Sequence, residues 1–367
     1  MPYQTPYGMH DILPEDQPWW KFLRDTFEEL CRRYGFVRID TPILEYTAVF
    51  SKGVGQGTDI VDKEMYYFED KGGDWLALRP EFTAGIVRAY LQNGMRSRPQ
   101  PVKLYSIGAL FRRDRPGAGR YRQFHQVNAE IIGTDDPAAD AELIEMAVSY
   151  ARKIGLSSLN VLLNSTGCSA CKPPYIEKLV KFLSERIDRL GDLDKERAKR
   201  NPLRVLDSKD EKTQQALREG VPLLPDYLCD ACKKHYEEVK KLLKPLNLPI
   251  SERPTLVRGL DYYTRTVFEI VATKASEVGT VLGGGRYDYL AEILDGPATP
   301  AAGFAGGIER LILALKKEGV EAPAADRPEI FVAYVGGETK ETAFQLAKKL
   351  REAGFLTILD LGGKSLK

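Results

Sequence analysis

A chain of 367 residues has room for two or three domains of about 150 residues each. Its 53 Lys+Arg against 52 Asp+Glu leave a net charge of +1, so no global field advertises a polyanionic partner, although local charge still decides the electrostatics of a groove. A hydrophobic fraction of 43% with 29% charged residues, no uncharged apolar run approaching about 18 residues, no N-terminal apolar h-region and few cysteines exclude fibrous, disordered, membrane-spanning and secreted classes, and point to a soluble, cytosolic, multidomain protein.

Residues 16–34 carry Trp19, Trp20, Phe22, Leu23, Phe27, Leu30 and Tyr34 near helical spacing, which predicts an amphipathic helix stopped by Gly35. Residues 36–39 then read as a strand, ended at Pro42. The stretches 103–112 and 122–132 read as two strands around the turn RDRPGAGR. Residues 136–154 and 174–190 have helical patterns, 191–225 is charged and loop-rich, and helix returns at 230–244. Pro245, Pro249 and Pro254 mark a boundary. Strands are expected at 263–272 and 278–282, and a helix at about 306–318. A composition break at 319–328 reads as a linker, followed by a strand, a helix at 339–353 and a second strand, a unit that suggests a parallel pair. The chain thus reads as a large α+β body at 1–325, interrupted by an insert near 156–250, and a short α/β tail. At about 40 residues the tail is too small to bury a core alone.

Five stretches concentrate the chemistry. Between Lys103 and Arg122 stand six basic residues against one acid, Asp114, and arginine is favoured where a phosphate is gripped in two places. On the returning strand His125, Val127, Ala129 and Ile131 share one face and Gln126, Asn128 and Glu130 the other. That polar ladder suits a cavity for a small polar ligand; the alternative is a solvated outer sheet face. In LRPEFT (78–83), Glu81 and Thr83 can together grip an ammonium group, or Glu81 simply favours the start of a helix. RGLDYYTRTVFEI (258–270) sets Arg258, Tyr262 and Tyr263 before a strand. If the strand has already begun, the two tyrosines face opposite sides and at most one enters a given cavity; the alternative is aromatic strand packing with a surface arginine. GTVLGGGRYDYL (279–290) and GFAGGIERL (303–311) fit neither a Walker loop nor GxGxxG. Arg310 falls in the first turn of a helix, a good place for a triphosphate, unless the glycines merely form turns that pack a helix on a sheet.

In order and joint content these stretches resemble the class II aminoacyl-tRNA synthetases and, among them, the histidyl-tRNA synthetase family. The helix and strand ending at Pro42 resemble the first class II motif, which builds the dimer interface. FRRDRP and GRYRQFHQ resemble the second, a strand–loop–strand that holds ATP, and GFAGGIERL the third, with Arg310 as its ATP-binding arginine. RGLDYYTRTVFE resembles the motif that marks the histidine branch.

The resemblance covers about residues 1–365. It implies an α+β fold, with a class II antiparallel sheet flanked by helices, a mostly helical insert and a partial C-terminal α/β anticodon-binding-like domain. The catalytic core would occupy 1–155 and 251–325, the insertion domain 156–250 and the partial anticodon-binding domain 326–367. That last part is about half the family's length, which reads as a truncated chain.

The implied activity is that of a cytoplasmic, homodimeric ligase without membrane partners. It activates histidine with ATP and Mg2+ to histidyl-adenylate and transfers it to the 3′ end of tRNA(His). By the same resemblance Glu81 and Thr83 bind the histidine ammonium, while Gln126, Glu130, Tyr262, Tyr263 and Tyr287 line the histidine pocket. Arg112 and Arg258 flank the α-phosphate as the catalytic pair and also contact histidine, and Arg310 meets the γ-phosphate. Asp114 stands where the family often has a glutamate touching ATP, and Arg265 where a small residue is frequent. The insert carries 18 Lys/Arg against 14 Asp/Glu from 172 to 244; the resemblance places it over the tRNA acceptor stem, and a solvated charged face is the alternative.

The pairs Cys168/Cys171 and Cys229/Cys232 are two C-x2-C knuckles suited to structural Zn2+, although the 57 residues between them exceed what a compact zinc ribbon needs. Reduced or redox-labile thiols are the other reading. Two rival functions remain at this level. One is a catalytically inactive, synthetase-like regulatory subunit of the ATP phosphoribosyltransferase of histidine biosynthesis, a relative that loses the RGLDYYT stretch present here. The other is a purely RNA-binding protein.

Overall fold

The expected first helix runs Gln17–Arg33 in the computed structural model, which describes residues 3–55, 58–325 and 327–362. Its stripe of Trp19, Trp20, Leu23, Phe27 and Leu30 is buried against the helix Pro137–Lys153 and one face of the main sheet, where Val127, Ala129 and Ile131 complete the same core. In chain order the strands are β1 (Val37–Arg38), β2 (Leu44–Tyr46), β3 (Tyr66–Glu69), β4 (Trp75–Leu78), β5 (Val102–Phe111), β6 (Gln123–Ile132), β7 (Leu159–Ser165), β8 (Ile250–Glu252), β9 (Thr264–Ala272), β10 (Thr280–Arg286), β11 (Ala301–Gly307), β12 (Ile330–Val332) and β13 (Thr357–Leu359). Eight of them form one sheet, in the order β1-β5-β6-β11-β10-β9-β7-β8. Pairing is antiparallel throughout its middle and parallel only at the two edges, β1 on β5 and β7 on β8. The expected hairpin of β5 and β6 keeps unbroken register from Val102↔Ile132 to Phe111↔Gln123.

Several elements differ from the sequence expectation. β2, β4 and β3 form a small antiparallel sheet that no pattern announced, since its strands are only three or four residues long. β10 extends to Arg286 and β11 occupies the GFAGG segment, so these glycines lie in central strands and are not turns. The reason is close approach: a Cβ at Gly303 would stand 1.5 Å from Glu130 Oε2, and one at Gly284 would stand 2.1 Å from the Gly303 carbonyl.

Residues 191–225, read as loops, contain the helices Asp192–Arg200 and Glu211–Leu217. Their charges face water, while the buried Asp194 accepts hydrogen bonds from Ser208 Oγ and Thr213 Oγ1, the latter at 2.8 Å. A separate core of Cys171, Tyr175, Leu179, Leu183, Val205 and Leu224 lies inside the expected 156–250 insert. Its flanks, β7 and β8, are strands of the main sheet, because alternating apolar residues such as Val161 and Leu163 bury against that sheet's core.

Arg286 is wholly buried at the end of β10. It donates to Asp140 Oδ2 at 2.8 Å, Asp288 Oδ1 at 3.1 Å, and the carbonyls of Thr134 and Asp136. Burial alone would raise the Asp140 pKa, but Arg286 and His235, whose Nε2 lies 3.1 Å away, hold it below the usual range. This clamp ties β10 to the helix Pro137–Lys153 and presents the next residue, Tyr287. Arg286→Ala strands a buried carboxylate, so a loss of about 3–5 kcal/mol is expected in urea denaturation. A loss below about 1 kcal/mol would contradict this account of the clamp.

Among the described residues, those up to Ile12 and from Trp19 to Glu321 form one compact unit, and Leu13–Pro18 with the tail from Ala322 onward another. Within the tail β12 and β13 pair in parallel, as expected, and Val332, Ala343, Ala347 and Leu359 form its small core around the helix Lys340–Glu352. Of the expected 326–367 domain, Asp326 and residues 363–367 lie outside the described residues. Among the described residues no helix is long and apolar enough to cross a membrane.

Candidate active site

The polar face of β6 opens into a cavity of about 1000 Å³, and every side chain expected at the site, the cysteines apart, lines it. One end is acidic and phenolic. Glu81 precedes the helix Thr83–Gln92 and accepts from the backbone N–H of Thr83 at 2.7 Å and of Ala84 at 2.8 Å. Glu81 thus supports the start of the helix, as its helix-entry reading expected, and also lines the cavity. Burial raises its pKa, against the pull of those N–H groups and Arg112. Glu130 lies opposite Gly303 on β11. Its Oε1 accepts from Thr83 Oγ1 at 2.6 Å and Asn128 Nδ2 at 3.0 Å, and its Oε2 from the Tyr287 hydroxyl. Burial outweighs these three donors and pushes its pKa up to about 7.

Tyr262 and Tyr263 both reach the cavity, with ring centroids 4.9 Å apart. β9 begins only at Thr264, so strand alternation does not govern the pair and the limit of one tyrosine per cavity does not apply. The Tyr262 hydroxyl donates to Glu81 Oε2 at 3.4 Å. Burial raises the pKa of both phenols, as it does for Tyr287.

The other end is basic. Arg112 follows β5, donates from Nε to the Pro80 carbonyl at 2.9 Å and stacks over Phe124 at 5.3 Å. Arg258 donates from Nη1 to Glu269, whose other oxygen accepts from Thr280 Oγ1 at 2.7 Å, while the buried Arg258 Nε has no hydrogen-bond partner among the described residues. A Cβ at Gly283 would stand 2.8 Å from Arg258 Nη1, so glycine makes room for the guanidinium. Arg310, in the first turn of the helix Ile308–Lys317, donates to the Thr280 carbonyl at 3.1 Å. Burial and then repulsion from Arg120 and Arg112 lower its pKa. Asp114 lines the cavity with its Oδ1 accepting from Arg115 N–H at 2.6 Å, and Gln126 lines it from β6. Fixed guanidinium groups that repel one another form a site that a polyphosphate would neutralise.

Sequence reasoning missed Glu269, although it is the one acid in β9 and interrupts the apolar run Val267–Ala272. It also missed Arg204, Asp207 and Lys209 of the insert, which line the cavity and carry no local signal. Burial, and then the charge of Glu269, raise the Asp207 pKa.

The four cysteines stand outside this cavity, with all four Sγ atoms within 4.8 Å of one another. Cys168 Sγ lies 3.6 Å from Cys171 Sγ and 3.9 Å from Cys229 Sγ. Burial alone would raise the Cys168 thiol, but the backbone N–H groups of Ala170 and Cys171 and the thiols of Cys171 and Cys232 together bring it down to about 7. The long interval between the knuckles is taken up by the helices of the insert, which return the chain to its start.

The family profile described as histidyl-tRNA synthetase matches residues 8–311. A histidine–tRNA ligase of Dehalococcoides mccartyi is 48% identical over 365 residues, covering 100% of this chain and 87% of the relative. The chain belongs to the histidyl-tRNA synthetase family. The crystal structure of an apo histidyl-tRNA synthetase of S. aureus matches with a TM-score of 0.81 and 36% identity, over 99% of this chain and 86% of that one. An ATP phosphoribosyltransferase regulatory subunit/histidyl-tRNA synthetase of Bacillus halodurans shares the fold, with a TM-score of 0.71 at 24% identity over 100% and 94% of the two chains. The antiparallel sheet flanked by helices is the class II synthetase architecture that the histidyl-tRNA synthetase resemblance implied.

Proposed function

We propose that this chain is a histidine–tRNA ligase that activates histidine with ATP to histidyl-adenylate and transfers the histidyl group to the 3′ end of tRNA(His). The observation that carries this reading is the joining of an acidic, phenolic end and an arginine-rich end in one cavity. In activation the histidine carboxylate attacks the α-phosphorus in line and pyrophosphate leaves. No side chain becomes a nucleophile, so positioning and charge stabilisation supply most of the rate.

Arg112 and Arg258 would flank the α-phosphate, Arg310 would meet the γ-phosphate, and Asp114 would touch the adenylate side. Glu81 and Thr83 would hold the ammonium group. Glu130 would accept from an imidazole N–H, with Gln126, Tyr262, Tyr263 and Tyr287 closing the pocket. Ligases of this class use ATP with Mg2+, which would supply charge neutralisation to the phosphates; the carboxylates of Glu269 and Asp207, which line the cavity, are hard oxygen donors that would hold it. A buried polar pocket can reject amino acids without matching groups by about 10⁴–10⁵.

The mildly basic insert would lie over the tRNA acceptor stem, and the whole reaction would run in the cytoplasm, where tRNA is charged. A homodimer is part of the proposal: Val37, Ile43, Leu44 and Tyr46, around the segment that resembles the first class II motif, are exposed apolar residues that a second copy would cover. Structural Zn2+ at Cys168, Cys171, Cys229 and Cys232 is the finer cofactor reading. A tetrahedral thiolate centre with Zn–S near 2.3 Å needs sulfur separations of about 3.8 Å, close to the spacings present.

The test is exchange of pyrophosphate into ATP. Activity is expected with histidine and with none of the other standard amino acids. Binding of tRNA without histidine-dependent exchange would favour a purely RNA-binding protein or the regulatory-subunit reading, against which the intact RGLDYYT stretch argues. Gly303→Ala is a further check, because its Cβ would displace Glu130. Calorimetric histidine affinity should fall by about tenfold or more, and unchanged affinity would mean that Glu130 does not face the ligand.

A further inference from the structure

The knuckle at 167–172 touches the wall of the proposed histidine pocket at three places. The Gly167 carbonyl accepts from Arg265 N–H at 2.7 Å, and the Arg265 carbonyl accepts from Thr166 N–H at 2.6 Å. Lys172 Nζ, one residue past Cys171, donates to the Tyr263 carbonyl at 2.6 Å. Ser169 Oγ lies 3.1 Å from the Tyr289 hydroxyl, two residues beyond Tyr287. The knuckle itself is set by the cysteines: a Cβ at Gly167 would stand 2.5 Å from Cys171 Cβ, and Cys229 N–H donates to Cys171 Sγ at 3.2 Å. The second knuckle, at the start of the helix Asp230–Leu243, is thereby the anchor against which the first one is held.

We propose that the four cysteines form a Zn2+ centre that holds the tyrosine wall of the histidine pocket, so that metal occupancy sets histidine affinity and leaves ATP affinity nearly untouched. The inference rests on the zinc and pocket readings given above. Four thiolates at tetrahedral spacing select zinc among the common divalent ions. The metal replaces a set of weak thiol contacts by four bonds that fix Cys168 and Cys171 relative to each other. Positions of Gly167, Ser169 and Lys172 follow, and through them those of Tyr263 and the segment carrying Tyr287. None of the three contacts reaches Arg112 or Arg310, which is why ATP affinity is spared, while Arg258, which lies over Tyr263, moves with the wall and carries its effect into the rate of exchange.

The full chain, purified without added metal, is expected to carry about one zinc by atomic emission, and Cys229→Ser less than about 0.2 equivalents. In pyrophosphate exchange Cys229→Ser should raise the histidine KM about fivefold or more, and the ATP KM less than about twofold. Lys172→Met should keep the zinc yet raise the histidine KM, which separates the linkage from the metal. If the cysteine variant does not fold, dialysis of the parent against a chelator reads the same two constants.

Less than about 0.2 zinc in the parent, or iron in its place, overturns the metal. Bound zinc with an unchanged histidine KM after its removal and in Lys172→Met overturns the coupling. Zinc-loaded parent without any histidine-dependent exchange overturns the ligase reading on which both depend.

Discussion

Arg258→Ala is expected to lower histidine-dependent pyrophosphate exchange by about 10²–10³-fold, the usual cost of removing one fixed donor aimed at developing charge. The expectation follows from how Arg258 is held. Glu269 binds its Nη1, Thr280 orients Glu269 from the other side, and Tyr263 lies under the guanidinium at 5.8 Å. Burial alone would lower the Arg258 pKa, but Glu269 and Tyr263 raise it, so the charge is permanent. No reorganisation is then needed as charge builds on the α-phosphate. Stability is also expected to fall, because the substitution leaves Glu269 without its cation. The pair's side chains are 20% and 19% exposed, so the loss should be below the figure for a fully buried pair, at about 1–3 kcal/mol. Arg258→Ala combined with Glu269→Gln should recover most of that stability in urea denaturation and none of the exchange. Exchange within about tenfold of the parent would remove Arg258 from the proposed mechanism.

Glu130→Gln should raise the histidine KM by about 10–100-fold, the worth of one hydrogen bond to a charged acceptor. The pH dependence supplies a second signature. Burial lifts the Glu130 pKa from 4.5 to about 7, so the carboxyl becomes a neutral acid as pH falls below that value and loses its role as an anionic acceptor. The parent's histidine KM should therefore climb below pH 7 by more than the titration of free histidine explains, and that excess should vanish in the variant.

Stability moves the other way. The folded pKa lies above the unfolded one, so the stabilising contribution of Glu130 is complete below about 4.5 and is lost as pH rises through about 7, a difference of about 3 kcal/mol. A neutral glutamine should consequently raise the denaturation midpoint at pH 8 and not at pH 5. A variant equally destabilised at both values would mean that Glu130 is not forced to ionise in a dry site.

The central hairpin was legible because β5 and β6 are long and alternate cleanly. Val127, Ala129 and Ile131 face the core, while Asn128 and Glu130 face the cavity. Strands of three or four residues such as β2 and β3 carry too few alternations to rise above chance. The glycine-rich β10 and β11 carry none, since their residues were selected for what must pass close to them, Arg258 at Gly283 and Glu130 at Gly303. Likewise Glu269 looked like one acid among many until the fold set it against Arg258.

Local order along the chain determined which chemistry is present: clustered arginines, carboxylates and phenols on recognisable stretches, and two C-x2-C pairs. Residue type and short-range periodicity suffice for that, because they reflect the chemistry of each side chain and of its immediate neighbours. Apart from the family resemblance, only the tertiary structure decided that eleven residues, spread from Glu81 to Arg310, share one cavity, and that both cysteine pairs converge behind its tyrosine wall. Such meetings depend on strand order and on an insert folding back on itself, and these are set by burial summed over the whole core, which no local stretch encodes.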